Sequence, residues 1–272
     1  MRQLARAAIA ALLAAAAPLA AADPPAAGRR LVEVRRFRAA EARQGVAADA
    51  HHVYAIDDRR IGKYAKRSGE RVAGWNAPEG GGFVHLNGGV VLDGRLYCAH
   101  SNYPGIPMLS SIEIFDTASL AHVASHGFGI FQGSATWLDR RDGAFFVAFA
   151  NYAGRGGVPG RGPEWTSLVR FDARWRPQGG FGFPPALVSR FGTRSSSGGA
   201  FGPDGLLYTT GHDAREVYAL RLPRAGGALE LVEILPAPAA GQGIAWDPAE
   251  PGLLWMIEKS SREVVAARLE GP

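Results

Sequence analysis

The chain has 272 residues, with 36 glycines, 18 prolines and a single cysteine, Cys98. One cysteine excludes an intramolecular disulfide, so an apolar core must stabilise the fold, and we expect Cys98 to be a buried, unreactive thiol within a strand. The formal net charge is +5 at pH 7, but the arginines are scattered singly or in pairs and form no basic block interleaved with aromatic residues. The composition therefore argues against nucleic-acid binding.

The first residues have the composition of a secretory signal. A basic start, residues 1–6, precedes an apolar run, residues 7–22, and a polar break at Asp23. The run is shorter and richer in alanine than the roughly 20 residues that span a bilayer. We therefore expect residues 1–22 to be a cleaved signal peptide and the protein to be periplasmic or secreted, with an uncleaved N-terminal anchor as the alternative. No later stretch predicts a membrane span, and residues 23–272 are expected to form one domain.

A two-strand unit recurs along the chain. In its last copy, Gly241-Gln242-Gly243 precede a short apolar run, an aspartate turn and a second apolar run that ends at Glu258. The corresponding aspartates of the five copies are 44, 46, 65 and 43 residues apart, at Asp49, Asp93, Asp139, Asp204 and Asp247. A period near 45 residues with four short strands per repeat is typical of propeller blades. The sequence therefore predicts an all-β, five-bladed β-propeller.

The N-terminal strand is predicted to close the ring. Residues 31–37 largely alternate apolar and charged side chains, as in a half-exposed strand, and belong to no repeat of their own. The last repeat has three strands and ends at residues 264–269. We therefore expect the N-terminal strand to be the fourth strand of the last blade, which removes the open edges of an incomplete ring.

The two ends of the predicted ring carry different residues. Because neighbouring strands run in opposite directions, the start of each first strand and the end of each second strand lie at the same end. The five aspartates lie at the other end, where one uniform residue type is explained by turn capping. The first end has varied polar residues, which is what a binding site produces. Three longer segments without predicted secondary structure, residues 100–108, 151–165 and 183–196, also favour a functional role.

The varied polar residues supply candidates for acid–base chemistry and for ligand binding. Imidazoles and carboxylates move protons near neutral pH, with His212 or His100 as general base, oriented by Asp213 or Asp57. The catalytic candidates are His212, His100, Asp213, Asp57 and Glu258. The substrate-binding candidates, which have side chains suited to a small polar ligand, are Gln44, His85, Asn87, Asn102, Tyr103, Asn151, Tyr152 and Gln242.

Metal and cofactor motifs are not decisive. The histidines His85, His100 and His212 with a carboxylate would suit zinc, and Asn-rich carboxylate sets would suit calcium, but no short spacing such as HExxH selects either ion. The metal ligands are therefore unknown. The sequence leaves open whether a divalent calcium or zinc ion binds at the channel mouth. The sequence contains no nucleophile elbow, phosphate-binding loop or dinucleotide fingerprint.

Two segments carry a resemblance to a known family. Gln44-Gly45-Val46-Ala47 with Tyr54, and Gly243-Ile244-Ala245-Trp246-Asp247 with Ile257-Glu258-Lys259, resemble the blade openings of bacterial and plant glutaminyl cyclotransferases, which are secreted five-bladed propellers. The whole chain also resembles exported bacterial propellers labelled cycloisomerase or muconate-cyclase-like. The Asn-Glu-Leu-Glu segment of the cyclotransferases is missing, since blade four begins with Ser195-Ser196-Ser197. The resemblance implies ring closure or opening on a small polar substrate, and the missing segment argues against pyroglutamate formation.

Two classes of function follow. In the first, the protein is an exported enzyme of the cyclase, cycloisomerase or lactonase type that uses histidine and carboxylate groups at the central mouth. In the alternative, it is a non-catalytic propeller that binds a sugar, a peptide or an envelope partner through Tyr103, Tyr152 and Trp165. A bare scaffold gives no reason for polar variety at one end only. The expected partner is a small polar molecule and the expected state is a monomer, while the substrate stays open.

Overall fold

The computed structural model describes residues 28–130 and 132–271. They form five four-stranded antiparallel sheets, so the prediction of a five-bladed β-propeller is confirmed. The first strands of the five sheets pack side by side in a closed ring around the central axis. The predicted signal peptide, residues 1–22, lies outside the described residues. Within the described part of the chain, no helix is both long and apolar enough to cross a bilayer.

The strands of each blade follow one another along the chain, from the axis outward. Blade 1 contains β2 (Gly45–Ala48), β3 (His52–Asp57), β4 (Arg60–Ala65) and β5 (Arg71–Asn76). Blade 2 contains β6 (His85–Leu92), β7 (Arg95–Ser101), β8 (Ser110–Asp116) and β9 (His122–Gly129). Blade 3 contains β10 (Ser134–Arg141), β11 (Ala144–Ala150), β12 (Ser167–Phe171) and β13 (Pro177–Gly182). Blade 4 contains β14 (Gly198–Phe201), β15 (Leu207–Thr210), β16 (Glu216–Arg221) and β17 (Glu230–Pro236).

Blade 5 combines strands from both ends of the described chain. It contains β18 (Ile244–Trp246), β19 (Leu253–Glu258), β20 (Glu263–Glu270) and, as its outer strand, β1 (Arg30–Arg38). Strand β1 pairs antiparallel with β20, with Leu31 opposite Leu269. The residue before β1, Arg29, also donates hydrogen bonds of 2.7 Å to the carboxylates of Asp204 and Glu233 in blade 4. The N-terminal segment is therefore attached to two blades.

The apolar core lies between the blades. Five clusters of buried side chains fill the five interfaces between neighbouring blades, and each draws residues from both of them. Cys98 is buried in the cluster between blades 1 and 2, and its burial raises the pKa of the thiol. The expectation of a buried, unreactive cysteine agrees with this position.

Glycines let the first strands approach one another around the axis. A Cβ atom on Gly243 in blade 5 would lie 2.5 Å from the Cα of Gly45 in blade 1. A Cβ atom on Gly45 would in turn overlap the backbone carbonyl oxygen of Asn87 in blade 2. Comparable contacts at the other three interfaces involve Gly88, Gly198 and Gly199. The glycines of the repeated unit are therefore required by the packing of the inner strands, where no side chain fits.

Turn capping explains three of the five repeated aspartates. Asp49, Asp204 and Asp247 each accept a hydrogen bond from the backbone N–H two residues further on, at 2.7, 3.1 and 2.8 Å. Each also accepts a bond from the aromatic side chain of Tyr54, Tyr208 or Trp255. These carboxylates therefore stabilise the turns and the aromatic groups below them.

The other two aspartates differ from one another. Asp93 lies in the turn between β6 and β7 with a φ of 49°. Asp139 lies within β10, and the turn that follows is formed by Asp142 and Gly143. The side chain of Asp139 instead accepts the backbone N–H of Phe201 in blade 4 at 2.7 Å, and burial raises its pKa to about 6. Its position in the repeat thus reflects a contact between blades and not a turn cap.

The connection between blades 3 and 4 is not a loop throughout. It contains a short helix, α1 (Pro185–Phe191), whose Leu187 and Phe191 side chains are buried against blade 4. The long segment inside blade 3 contains a single 3₁₀ turn, Pro163–Trp165. The helix was missed in the sequence because it begins with prolines and has only seven residues, too short for a clear helical period.

Candidate functional site

A cavity of about 270 Å³ opens at the end of the ring where the first strand of each blade begins. Residues from all five blades and from the long segments line it. The predicted residues that line the cavity are Gln44, His85, Asn87, Tyr103, Tyr152, His212 and Gln242. The structure therefore brings most of the predicted binding residues, and one of the predicted bases, to one place.

Four of the five predicted catalytic residues lie outside the cavity lining, and other groups hold three of them. The Nε2 atom of His100 accepts the backbone N–H of Val84 at 3.0 Å, and its ring packs against Phe83. Burial lowers the pKa of His100. Asp57 forms ion pairs with Arg60 and Arg262, and Glu258 forms a 2.6 Å hydrogen bond with Arg215. The expected convergence of three histidines is therefore reduced to two, His85 and His212.

Two predicted asparagines stabilise the long segments and do not line the cavity. Asn102 accepts the backbone N–H of Leu109 at 2.7 Å and donates to the carbonyl of Pro107 at 3.1 Å. Asn151 donates to the carbonyl of Trp165 at 3.1 Å. Trp165 itself is 54% exposed and lies outside the cavity lining. Of the aromatic residues expected to stack on a ligand, Tyr103 and Tyr152 remain.

A chain of hydrogen bonds runs along one side of the cavity. The Oδ1 atom of Asp58 accepts the amide of Gln44 at 2.8 Å and lies 2.6 Å from Nδ1 of His85. Because a carboxylate only accepts, Nδ1 of His85 carries the proton, and Nε2 accepts the amide of Asn87 at 3.3 Å. Burial alone would raise the pKa of Asp58, but the bond to His85 and the positive charge of Arg43 more than offset it, so this pKa lies below its usual value.

A second imidazole–carboxylate pair lies on another side of the cavity. Nδ1 of His212 is 2.5 Å from Oδ1 of Asp213, which does not itself line the cavity. Burial lowers the pKa of His212, and the neighbouring charges of Lys259 and Arg194 act in the same direction, while Asp213 opposes them. His212 is therefore neutral at pH 7, with its proton on Nδ1 and a basic lone pair on Nε2.

Four cationic side chains surround the cavity, against the one carboxylate of Asp58, and these are Arg43, Arg155, Arg194 and Lys259. Arg194 donates to the hydroxyl of Tyr103 at 3.2 Å. Within the described residues, Arg155 and Lys259 have no hydrogen bond or ion pair with a carboxylate. Burial, together with the charge of Arg43, lowers the pKa of Lys259. An electropositive, partly enclosed cavity of this kind attracts anions.

Two β-bulges direct side chains into the cavity. Where β6 pairs with β7, Leu86 is opposite His100 and Gly89 is opposite Cys98, so the strand has one extra residue around Asn87. Where β10 pairs with β11, the register shifts between Ala135 and Trp137, which makes Thr136 the extra residue. Both bulged residues line the cavity. Bulges next to binding sites commonly re-aim a side chain in this way.

Aromatic rings form the wall between blades 2 and 3. The ring of Tyr103 lies 5.1 Å from that of His85 and 5.1 Å from that of Tyr152, measured between centroids. Burial raises the pKa of Tyr152 to about 12. Each phenol presents an apolar ring face and a polar hydroxyl group.

The charged residues of the cavity were missed in the sequence, several of them by one position. Asp58 and Lys259 directly follow the predicted Asp57 and Glu258, and Arg43 directly precedes Gln44. Successive side chains of a strand point to opposite faces, so the first residue beyond the strand, and not its last residue, faces the axis. Arg155 and Arg194 lie in the long segments, where no sequence pattern distinguishes them from the arginines scattered over the rest of the chain.

No group of three or more His, Cys, Asp or Glu side chains is placed to hold a metal ion within residues 28–130 and 132–271. The suggested calcium or zinc site therefore has no ligand set of that kind in this part of the chain.

No protein-family model and no curated protein sequence matches the chain. Solved structures do match it. The PQQ-bound aldose sugar dehydrogenase from Streptomyces coelicolor has a TM-score of 0.58 and 13% sequence identity, over 91% of this chain and 100% of that chain. The hydrazine synthase of Kuenenia stuttgartiensis has a TM-score of 0.50 and 12% identity, over 84% of each chain.

The shared feature is the β-propeller. At these sequence identities the similarity shows the fold and nothing about the chemistry. The resemblance to glutaminyl cyclotransferases and cycloisomerase-labelled propellers remains a prediction.

Proposed function

We propose that this protein is an exported enzyme that binds a small organic dianion in the mouth cavity and transfers a proton through His85 and His212. One observation carries the proposal. Two imidazoles, each bonded at Nδ1 to a carboxylate, line the same cavity as four cationic side chains. Proton-transfer groups and charge-binding groups are thereby placed around one volume, as an acid–base enzyme requires.

The size and charge of the cavity favour a small dianion. Its volume of about 270 Å³ lies below the range of roughly 300–1,000 Å³ that holds drug-sized ligands. Arg155 and Lys259 lack carboxylate partners within the described residues, and the guanidinium of Arg194 bonds only to the phenol of Tyr103 there. Guanidinium groups bind carboxylates through two parallel hydrogen bonds. A dicarboxylate is therefore the ligand class that satisfies these charges best.

The two imidazoles suit the two halves of a proton transfer. Each keeps its Nδ1 proton on a carboxylate, so its Nε2 atom is the one that exchanges a proton with the substrate. In closure of an unsaturated dicarboxylate to a lactone, a carboxylate oxygen adds to the double bond and a proton goes to the adjacent carbon. Opening is the reverse. In opening, the Nε2 lone pair of the neutral imidazole accepts this proton as the ring C–O bond breaks and its electron pair goes to the leaving carboxylate. In closure, the imidazolium form returns the proton to carbon. The reaction therefore needs anion binding and one imidazole, and both are available in the cavity.

Nuclear magnetic resonance in D₂O tests the reaction directly. Purified protein is incubated with a panel of small unsaturated dicarboxylates and the corresponding lactones, and ring conversion and deuterium incorporation are followed together. We expect conversion by the wild type and by the control His51→Gln, which alters an exposed histidine at the opposite end. His85→Gln and His212→Gln should each lose activity by about 10²- to 10⁴-fold, the usual contribution of a general acid or base. Full activity in both variants would remove the proposed roles.

A second candidate is a non-catalytic protein that captures organic anions. The hydrogen bond between Asn87 and Nε2 of His85 favours it, because this bond occupies the atom that would otherwise accept a proton. The same NMR experiment separates the two candidates. A capture protein would broaden or shift the signals of bound dicarboxylates and leave every member of the panel chemically unchanged.

Export is a separate part of the proposal and is supported by the N-terminal sequence. The test is fractionation of the producing cell followed by N-terminal sequencing of the purified protein. A mature chain in the periplasm or medium that begins near Asp23 supports export. A full-length chain in the cytoplasm contradicts it.

A further inference from the structure

Thr136 is a buried residue of the cavity lining. It is the extra residue of the bulge in β10, it is only 2% exposed, and it lines the cavity. Within the described residues, its Oγ1 atom has no hydrogen-bond partner. Nearby buried hydroxyls do have partners, since Ser134 bonds to Ser101 at 2.8 Å and Thr210 bonds to the carbonyl of Gln242 at 2.6 Å. Burial of an unpaired hydroxyl is unfavourable, so a bound group is expected to satisfy it.

The polar groups of the cavity come from two kinds of segment. Arg43, Arg155, Arg194 and Lys259 all lie outside the strands, on the segments that form the mouth. Thr136 and Asn87 lie inside the first strands of blades 3 and 2. A ligand that meets all of them has its charged groups outward and an uncharged polar group inward.

We infer that the ligand of this cavity is a hydroxy- or oxo-dicarboxylic acid, whose hydroxyl or carbonyl oxygen accepts a hydrogen bond from Oγ1 of Thr136. The inner group is uncharged because Asn87 and Thr136, which line the cavity from within strands, are uncharged. It is an oxygen and not a methyl group because a methyl group would leave the hydroxyl unpaired. This inference rests on the proposed function and narrows its small organic dianion to dicarboxylic acids that carry a further, uncharged oxygen group.

Matched ligands test the inference by calorimetric titration of the purified protein. Succinate and malate differ by one hydroxyl group, and oxaloacetate replaces that hydroxyl with a carbonyl. We expect the wild type to bind malate or oxaloacetate at least about 10-fold more tightly than succinate, as is usual for a site that pairs a buried polar group. Thr136→Val keeps the shape of the side chain and should abolish this preference. Thr136→Ser keeps the hydroxyl and should retain it.

The outcomes separate the inference from the proposed function. If the wild type binds succinate as tightly as the oxygen-bearing ligands, or if Thr136→Val retains the preference, the inference is wrong while the anion site remains. If no dicarboxylate binds to the wild type, the proposed function fails, and this inference fails with it. Loss of the preference in Thr136→Val together with its retention in Thr136→Ser supports the inference, because a folding defect would weaken all the ligands equally.

Discussion

The Oδ1 atom of Asp58 lies 2.6 Å from Nδ1 of His85 and thereby determines which nitrogen of this imidazole carries the proton. The same oxygen accepts the amide of Gln44, so the carboxylate is held in place from a second direction. A contact between blades 1 and 2 therefore orients His85 and selects its tautomer.

The first prediction concerns this tautomer. Asp58→Asn replaces an obligate acceptor with a group that can also donate, so Nδ1 of His85 loses its fixed proton. We expect ¹⁵N chemical shifts to report the Nδ1–H form in the wild type at pH 8 and a larger share of the Nε2–H form in the variant. Identical spectra for the two proteins would show that Asp58 does not control the imidazole.

The second prediction concerns the titration of His212. Its pKa lies below the usual value because of burial, with Lys259 acting in the same direction and Asp213 in the opposite one. Asp213→Asn should therefore lower this pKa further, whereas Lys259→Met should raise it. An NMR titration of the imidazole protons measures both shifts, and the two variants serve as controls for each other. Shifts of the same sign would contradict the assignment of these charges.

The third prediction concerns the glycines at the axis. A Cβ atom on Gly243 would meet the backbone of Gly45 at 2.5 Å, and backbone cannot move aside as a flexible side chain does. Gly243→Ala should therefore lower the free energy of unfolding by about 1–3 kcal/mol or more, the cost of overpacking. Gly127→Ala is the matched control, since nothing lies within 4 Å of a Cβ atom there. Denaturant unfolding that finds equal stability for the two variants would show that the inner strands tolerate a wider ring.

The fourth prediction concerns the attachment of the N-terminal segment. The side chain of Arg29 is 17% exposed and bonds to Asp204 and Glu233 of blade 4, each at 2.7 Å. Arg29→Ala should cost about 1.5–3 kcal/mol of stability, as expected for hydrogen bonds between charged groups. Arg30→Ala removes a neighbouring side chain that is 68% exposed and pairs with Glu270, so it should change stability by less than about 0.5 kcal/mol. Equal effects of the two substitutions would indicate that the contact to blade 4 is not stabilising.

The fold could be predicted because the sequence unit repeats. About half of the site could not be predicted, because its residues follow no repeat. The spacing of the turn aspartates and the glycines of the repeated unit determine five blades because each copy must fit against the next. Asp139 is an exception. It occupies the position of the turn aspartate in the repeat, but its side chain accepts a hydrogen bond from Phe201 of blade 4 and does not cap a turn.

The site depends on features that lie outside the repeat. His85, Asn87 and Gln242 were predictable because they occupy the same structural position in different blades. Asp58 and Lys259 were missed because the exact end of a strand decides which of two adjacent side chains faces the axis. Thr136 was missed because a bulge changes this alternation. Arg155 and Arg194 reach the mouth through long segments, and no periodic pattern specifies their conformation.

The central claim is that Arg155 and Lys259, which have no carboxylate partner within the described residues, help to bind a small organic dianion. Calorimetric titration with a set of small dicarboxylates tests it most directly, using the wild type, Arg155→Met, Lys259→Met and the control Arg174→Met. Arg174 is exposed and does not line the cavity, so its substitution removes the same charge without touching the site. We predict that Arg155→Met and Lys259→Met each weaken binding by about 10-fold or more, as for other charged hydrogen bonds, and that Arg174→Met binds as the wild type does. Equal affinities in all four proteins, or no binding by the wild type, would contradict the claim.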